Sequence, residues 1–164
     1  GQMKGGKIMT PGDAVVVKTN RLLYPVRIDY HLSLAKMIAL GNYQLVDSDI
    51  LPFNFSIVGT GQVDANLAIF LFDRHISSIE VIAEMDLENY DPTRIEHLLA
   101  FGSQYQNIQR QFPISALGSI WQISINLAMT PTLSVSGNNW RSLKLDYSNY
   151  TWKEIRGFLA VARK

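Results

Sequence analysis

The sequence predicts an α+β domain in which two helices pack on short antiparallel β-sheets. Two capping signals, at Ser77 and Thr93, mark the starts of consecutive helices in the middle of the chain. Short apolar stretches of strand length lie before and after these helices. The chain has 164 residues, which is enough for one domain of ordinary size. The order of strand, two helices and then several short strands is typical of an α+β domain with an antiparallel sheet.

Residues 1–30 are predicted to form an N-terminal extended arm. The turn-forming pairs Gly5-Gly6 and Pro11-Gly12 alternate with the apolar stretches of residues 14–17 and 22–24. This alternation predicts one or two strands. Such an arm packs either on its own domain or on a neighbouring subunit, so a homo-oligomer formed through the arm is one expected arrangement.

No targeting or membrane-spanning segment is expected. Nothing near the start forms the basic and then apolar pattern of a signal peptide. No apolar run approaches the roughly 20 residues that are needed to cross a bilayer. We therefore expect a soluble protein, and its association with a virion or a surface stays open.

The main domain is predicted to cover residues 31–164 and to begin with a short helix. Apolar residues stand at helical spacing within residues 31–40, and Gly41 follows in the position of a C-terminal cap. Residues 42–57 carry several turn formers and are predicted to be irregular. The continuous apolar run of residues 67–72 predicts a strand that is buried on both faces.

Two capping boxes predict the two central helices. Ser77 is expected to accept a hydrogen bond from the backbone N–H of Glu80, whose carboxylate reaches back to the start of the helix. The apolar side of this helix is expected to contain Ile79, Ile82, Ala83 and Met85. Thr93 and Glu96 repeat the capping pattern. The second helix is expected to continue to Gly102 and to bury Ile95, Leu98 and Leu99.

Three later segments are predicted to be strands: residues 114–121, interrupted by Gly118, residues 143–147 and residues 157–162. In the second of these, strand alternation places Leu143 and Leu145 in the core. The opposite, exposed face is expected to carry Ser142, Lys144, Asp146, Tyr147 and Tyr150.

The charged residues and histidines indicate neither a catalytic site nor a nucleic-acid site. The net charge is +1 with both signs scattered, and there is no cysteine, so neither a basic footprint nor thiolate chemistry is expected. His31, His75 and His97 stand far apart without ligand spacing. We therefore expect no metal, no cofactor and no nucleic-acid partner. An acid–base role for Asp73 and His75 is the alternative, although a turn after a buried strand commonly carries such residues.

The last third of the chain has the composition of a binding surface. Between Trp121 and Thr151, Ser, Thr and Asn are interleaved with isolated apolar residues, and Trp140, Tyr147 and Tyr150 add aromatic rings. Paratopes use this mixture, because hydroxyls and amides adapt their hydrogen bonding while aromatic rings supply rigid contact area. An exposed face of a β-rich domain with long polar loops has the same composition.

Several stretches resemble the variable proteins of diversity-generating retroelements, from viruses, archaea and bacteria. The likeness covers roughly residues 35–164 and leaves the N-terminal arm unmatched. It runs through residues 35–43 and 71–78, and it is clearest at Leu98-Leu99-Ala100-Phe101-Gly102, Arg110-Gln111-Phe112-Pro113-Ile114, Ala116-Leu117-Gly118-Ser119-Ile120-Trp121 and Phe158-Leu159-Ala160-Val161. The resemblance implies a C-type-lectin-like fold of the branch shared with formylglycine-generating enzymes. Those enzymes rely on cysteine, which this chain lacks.

The resemblance also implies which residues are fixed and which vary, within a variable region of about residues 121–157. The positions that match the fixed scaffold are Trp121, Pro131, Leu133, Leu143, Leu145, Trp152 and Phe158. The positions that match the variable, ligand-binding set are Ala128, Thr132, Ser134, Ser142, Lys144, Asp146, Tyr147, Ser148, Tyr150 and Ile155. Lys144 departs from the pattern, because changing the adenines of an AAY codon cannot produce lysine.

The expected function is that of a non-enzymatic display protein, which binds a receptor or another ligand through a C-terminal face that a retroelement diversifies. The partner is expected to be a protein or a surface ligand whose identity the sequence does not give. Two alternatives are a carbohydrate-binding, lectin-like protein and a structural protein of a virion or surface assembly without diversification. An enzyme that uses the region of Asp73 and His75 is a further alternative.

Overall fold

The elements of the fold are taken from a computed structural model that describes residues 21–149 and 151–164. Within these residues the chain forms nine β-strands and three α-helices. In chain order they are β1 (Tyr24–Asp29), α1 (Leu34–Ala39), β2 (Leu45–Val46), β3 (Gln62–Phe72), α2 (Ser78–Leu87), β4 (Tyr90–Pro92), α3 (Ile95–Gln104), β5 (Ile114–Ser115), β6 (Trp121–Ser124), β7 (Leu127–Ser136), β8 (Trp140–Tyr147) and β9 (Arg156–Ala162). This content confirms the predicted α+β class.

The strands form one open mixed sheet, whereas the sequence predicted short antiparallel sheets. The strand order is β1-β3-β9-β5-β7-β8-β2, with β4 also paired to β9 and β6 also paired to β7. Most neighbours are antiparallel, but β5 runs parallel to β9 and β2 runs parallel to β8. Two of the strands are long, since β3 has 11 residues and β7 has 10. Pairing between distant segments, which local patterns do not encode, joins the strands into one sheet.

Each face of the sheet carries its own apolar core. Alternation along β9 sends Leu159 to one face and Phe158 to the other, and both are fully buried. Leu159 belongs to a cluster with Leu98 of α3 and Leu133 of β7, and α1 packs against α3 on the same side. Phe158 belongs to the second cluster, which includes residues of α2 such as Met85. Helices therefore cover both faces of the sheet.

The first helix forms where it was predicted, but it ends differently. The Ser33 hydroxyl accepts a hydrogen bond from the Lys36 backbone N–H at 3.1 Å and caps the start of α1. The predicted cap residue, Gly41, does not adopt positive φ, and Asn42 does so instead, at 53°. Asparagine tolerates this left-handed conformation better than most residues. The following, irregular region contains the two-residue strand β2.

The capping box of α2 is confirmed, but its predicted buried side is wrong except for Met85. Ser77 Oγ accepts from Glu80 N at 3.2 Å, and Glu80 Oε1 accepts from Ser77 N at 2.9 Å. The residues that α2 buries are Val81 and Met85, whereas Ile79, Ile82 and Ala83 are exposed. The helix has apolar residues on two of its sides, so its pattern does not decide which side packs.

The start of α3 lies one residue later than predicted, and Thr93 is not its cap. The Thr93 backbone N–H and hydroxyl both donate to the Leu159 carbonyl, at 3.1 and 2.9 Å, so Thr93 continues the pairing of β4 with β9. His97 Nδ1 accepts from the backbone N–H of Arg94, the N-cap residue, at 3.1 Å. Ser119 Oγ accepts from the first helical N–H at 2.8 Å. Residues Ile95, Leu98 and Leu99 are buried as predicted.

Gly118 separates β5 from β6 within the segment that was predicted to be one interrupted strand. Its N–H donates to the Thr93 carbonyl at 2.7 Å. A Cβ atom at this position would lie 2.5 Å from the same carbonyl oxygen, which is closer than atoms can approach. A glycine is therefore required where the chain passes the start of α3.

The strand predicted at residues 67–72 is the second half of β3, and it is not buried on both faces throughout. Leu67, Ala68 and Phe70 are buried, but Leu71 is half exposed. Residues 24–29 of the predicted arm form β1, which pairs with β3 and buries Val26 and Ile28. The predicted strand at residues 14–17 lies outside the described residues. In the part of the chain that the structure describes, no helix is long and apolar enough to cross a membrane.

Candidate functional site

The hairpin of β7 and β8 carries most of the positions that the sequence singled out. The two strands pair in antiparallel register with Ser134 opposite Ser142 and Thr132 opposite Lys144. The connecting turn fixes this register through two residues with positive φ, Gly137 at 46° and Asn139 at 66°. One face of the hairpin is apolar, because alternation sends Leu133 and Leu143 into the core. The hydroxyl side chains lie on the opposite face.

Four hydroxyl groups form a buried polar layer on this opposite face. The layer consists of Ser115, Thr132, Ser134 and Ser142. The hydroxyl oxygens of Ser134 and Ser142 are 2.8 Å apart, and those of Ser115 and Thr132 are 2.7 Å apart. Each pair shares a hydrogen bond between neighbouring strands, and all four residues are no more than 3% exposed. The polar layer therefore satisfies itself inside the protein.

A buried arginine connects the polar layer to the last strand. Arg156, which begins β9, donates through Nη1 to Ser115 Oγ at 2.7 Å and lies 2.9 Å from Asp146 Oδ2. Its other terminal nitrogen pairs with Glu154, and its guanidinium group lies over the Trp152 ring at 4.6 Å from the centroid. Since Arg156 is 3% exposed, removal of its partners would leave a buried charge. The ion pair therefore joins β8 to β9 at this edge of the layer.

A second network supports the same serine pair from the core side. The Gln109 side chain donates through Nε2 to the carbonyls of Ser134 and Ser142, at 2.8 and 3.1 Å. Its Oε1 accepts from Arg141 Nη2 at 3.0 Å. All these groups are buried. The backbone beneath the polar layer is therefore held on both faces.

Arg141 itself is a buried cation that is satisfied by carbonyl groups. It donates to the carbonyls of Gly102 and Gln106, at 2.9 and 2.8 Å, and to that of Gly41. These carbonyls lie at and beyond the C-terminal ends of α1 and α3, where helices carry partial negative charge. Burial lowers the pKa of Arg141 from its usual value. The contacts connect both helices to β8.

Nine of the ten predicted variable positions are described, and they separate into three groups. Four are buried: Ala128, Thr132, Ser134 and Ser142. Three are half-buried: Lys144, Asp146 and Ser148. Tyr147 and Ile155 are exposed, by 53% and 57%. Tyr150 lies outside the described residues. The predicted exposure of Ser142 is wrong, because its hydroxyl pairs with Ser134 across the hairpin.

The predicted burial of Leu143 and Leu145 is confirmed, whereas the predicted face of Tyr147 is wrong. Leu143 is fully buried and Leu145 is 8% exposed. An odd-numbered residue of β8 must share their side of the strand, so Tyr147 does not lie on the face of Lys144 and Asp146. It is exposed because it stands at the end of the strand. The other positions assigned to the scaffold are buried, apart from half-buried Trp121.

Two residues outside the predicted variable set also belong to this region: Trp140, which the sequence named only as an aromatic ring of the binding surface, and Arg156, which it did not name. Trp140 is 45% exposed at the start of β8 and shares the face of Ser142 by alternation. Arg156 links the polar layer to Asp146, as described above. The period of two along β8 could have pointed to Trp140. No local pattern points to Arg156, since its partners lie on other strands.

The residues of the alternative, enzymatic site follow the end of β3. Asp73, Arg74 and His75 are exposed, and Asp73 and His75 form no hydrogen bond or ion pair with each other within the described ranges. Among residues 21–149 and 151–164, no three His, Cys, Asp or Glu side chains are grouped so that they could hold a metal ion.

Comparison of the chain with models of protein families, with curated proteins and with solved structures finds no match.

Proposed function

We propose that this chain is a non-enzymatic protein that binds a ligand or receptor through the surface around the end of β8 and the start of β9, where Asp146 and Arg156 are in contact. The binding surface, here called the rim, consists of Lys144, Tyr147, Ser148 and Ile155. These are the predicted variable positions that are exposed or half-buried. Asp146 is also half-buried, but it is left out because it pairs with Arg156.

The observation that carries the proposal is the ion pair between Asp146 and Arg156. The two charged groups are 2.9 Å apart, and each has a large exposed neighbour in the sequence, Tyr147 after Asp146 and Ile155 before Arg156, so the pair holds the backbone next to both of these residues. A backbone that is already held in place before binding loses less conformational entropy when the ligand binds. An aromatic and an aliphatic side chain can then act as anchors.

The separation of buried from exposed positions also suits a binding surface whose residues are diversified by substitution. Substitutions at exposed positions usually alter stability by about 0.5 kcal/mol or less, whereas buried polar groups cost more when their partners are lost. We therefore expect the rim to tolerate many residues and the polar layer to tolerate few. In this proposal only part of the predicted variable set contacts a ligand directly.

The resemblance to variable proteins of diversity-generating retroelements supports two finer proposals. One is that the α+β fold belongs to the C-type-lectin-like class, and the other is that codons of residues 121–157 are diversified. The genome that encodes the chain tests the second proposal. A nearby reverse transcriptase gene and an adenine-rich repeat of this coding segment are expected, and the absence of both would contradict it.

A matched pair of display libraries tests the binding surface. One library randomises the four rim positions, and the control library randomises four exposed positions on α2, Ile79, Ile82, Ala83 and Leu87. Both are selected for binding to purified lysozyme and streptavidin. We expect folded, specific binders mainly from the rim library. An equal yield from both libraries, or general unfolding of the rim library, would contradict the proposed surface.

A carbohydrate ligand is the second candidate, and half-exposed Trp140 is the observation that favours it. Aromatic rings at a sheet edge offer flat apolar area to a ligand that also needs hydrogen bonds. Binding of the chain to a glycan array, and its loss in the Trp140→Ala variant, would support a lectin-like function. Binding to proteins alone would support the first proposal.

A further inference from the structure

A second candidate site lies away from the rim, in a cavity between α1, the end of β1 and α3. Its volume is about 80 Å³. Much of its wall is apolar and includes Ile28, Met37 and Leu99. The wall also contains two carboxylate residues, Asp29 and Glu96. Along α3 the wall residues recur every three or four positions from Glu96, so one side of that helix faces the cavity.

Glu96 is a buried carboxylate whose two oxygens have unequal surroundings. Its side chain is fully buried. Oε2 accepts from the Tyr30 hydroxyl at 3.0 Å and from Arg94 Nε and Nη2 at 3.0 and 2.8 Å. Oε1 is buried too, but it has no hydrogen-bond partner among the described residues. A buried, unpaired carboxylate oxygen costs free energy that a suitable donor would recover.

The second carboxylate gives the cavity a negative charge. Hydrogen bonds from the backbone and the ring of His31 hold the pKa of Asp29 below its usual value, so this group is ionised at neutral pH. Arg27 also lines the cavity. Its guanidinium group, however, donates to Asp64 at 2.8 Å. The cation nearest to Glu96, Arg94, contacts only Oε2 of that carboxylate. An occupant that brings positive charge and N–H donors is therefore favoured.

We propose that this cavity binds a primary ammonium group on a short alkyl chain. The ammonium group donates to Glu96 Oε1, and the methylene groups contact Ile28, Met37 and Leu99. A cavity of roughly 150 Å³ accepts benzene, so one of this volume holds about three or four heavy atoms. Two carboxylates with apolar walls suit an ammonium group better than a metal ion, which would need more oxygen ligands. Because Oε1 is covered in the free chain, the flexible Met37 side chain is expected to shift on binding.

An NMR titration with n-propylammonium tests the proposal, with the Met37 methyl signal as the probe. 1-Propanol is the matched neutral ligand, since it has the same length without the charge. We expect saturable shifts with n-propylammonium in the millimolar range and binding of 1-propanol that is at least tenfold weaker. Equal binding of the two ligands, or no shift with either, would overturn the proposal.

Two variants locate the binding. Glu96→Gln removes the charge and should weaken binding at least tenfold. Ala100→Leu fills the cavity from its α3 wall, leaves Glu96 in place and should abolish binding, whereas Ala83→Leu on the exposed side of α2 should not change it. Unchanged binding in a folded Glu96→Gln or Ala100→Leu chain would contradict the site. If neither variant folds, the comparison of the two ligands on the natural chain decides.

The ammonium group can come from a free amine or from a lysine side chain of a partner. A titration with N-acetyl-lysine N-methylamide distinguishes these sources. Binding as tight as that of n-propylammonium would assign the site to lysine side chains, and binding of n-propylammonium alone would assign it to small amines. Because the cavity shares no residue with the rim, failure of this test leaves the proposed function untouched.

Discussion

The side-chain amide of Gln104 takes the place of a neighbouring strand for Arg27 at the edge of the sheet. Gln104 Oε1 accepts from the Arg27 backbone N–H at 3.1 Å, and Gln104 Nε2 donates to the Arg27 carbonyl at 2.9 Å. The Tyr105 hydroxyl donates to the carbonyl of Pro25 at 2.7 Å on the same strand. β1 is the terminal strand of the sheet, and an unpaired edge invites pairing with other chains. The end of α3 covers this edge.

Replacement of Gln104 by alanine should therefore destabilise the chain and expose the edge of β1. Two lost hydrogen bonds correspond to about 1–3 kcal/mol of unfolding free energy. Denaturant unfolding measures this loss, and light scattering at raised concentration should show increased association. The control is Gln106→Ala, because within the described part of the chain the Gln106 side chain makes one long hydrogen bond, of 3.3 Å, to the Ser103 carbonyl. Equal behaviour of the two variants would show that the amide does not protect the edge.

Loss of the Ser77 hydroxyl should cost about 1 kcal/mol, the typical contribution of a helix N-cap. Ser77→Ala removes the acceptor for Glu80 N, which lies 3.2 Å away, and leaves the first turn of α2 without its cap. Thermal melting of Ser77→Ala against Ser56→Ala, an exposed serine in a loop, measures the effect. A midpoint shift no larger than that of Ser56→Ala would contradict the contribution of the cap.

Thr93→Ala should be destabilising for a different reason, since Thr93 is not a cap. The change removes a buried hydrogen bond to the Leu159 carbonyl and leaves a small cavity, which together cost about 1–2 kcal/mol. Thr93→Ser keeps the hydroxyl and should recover part of the loss in denaturant unfolding. If Ser and Ala behave alike, the hydroxyl bond does not stabilise the fold.

Substitution of Ser142 should destabilise the fold, whereas substitution of Tyr147 should leave its stability nearly unchanged, although both residues were predicted to lie on the exposed face. Ser142→Tyr forces a large side chain into the buried polar layer and should cost about 1–3 kcal/mol or prevent folding. Tyr147→Ser changes an exposed side chain and should alter stability by about 0.5 kcal/mol or less. Circular dichroism and urea unfolding compare the variants. Tolerance of Ser142→Tyr would show that the polar layer is a surface in solution.

Tyr43 should make the fold sensitive to high pH. Burial raises the pKa of Tyr43 from 10.0 to about 12, and this effect outweighs that of the nearby Arg141 guanidinium group, which lowers the pKa. The Tyr43 hydroxyl forms no hydrogen bond of good geometry among the described residues. Since the unfolded chain loses this proton at lower pH than the folded chain, the stabilising contribution is present below pH 10 and is lost as the pH rises to about 12. Two units of pKa correspond to at most roughly 3 kcal/mol.

Tyr43→Phe tests this pH dependence. The variant should lose less stability than the natural chain between pH 10 and about 12, and it should be equally or more stable at pH 7, because an unpaired buried hydroxyl is removed. Urea unfolding at several pH values measures both effects. Tyr147→Phe, at an exposed tyrosine, is the control. Identical pH profiles for the natural chain and Tyr43→Phe would contradict the assignment.

The sequence by itself determined those features that depend on near neighbours along the chain. The capping box of Ser77 needs only residues three positions apart, so its pattern was sufficient. The burial of Leu143 and Leu145 follows from the period of two in a strand, and the α+β class follows from the order of such patterns. These predictions are confirmed because local geometry alone satisfies them.

The tertiary structure decided which of two equally plausible environments each ambiguous residue occupies. A serine in an alternating strand looks the same whether it faces water or pairs with a serine on the next strand, so only the register of β7 with β8 buries Ser142. In the same way, the helix α2 carries apolar residues on two sides, and packing against the sheet selected Val81 and Met85. The Asp146–Arg156 pair joins strands that do not pair with each other. Such contacts form only when segments that are distant in the sequence come together, and no local sequence pattern encodes this.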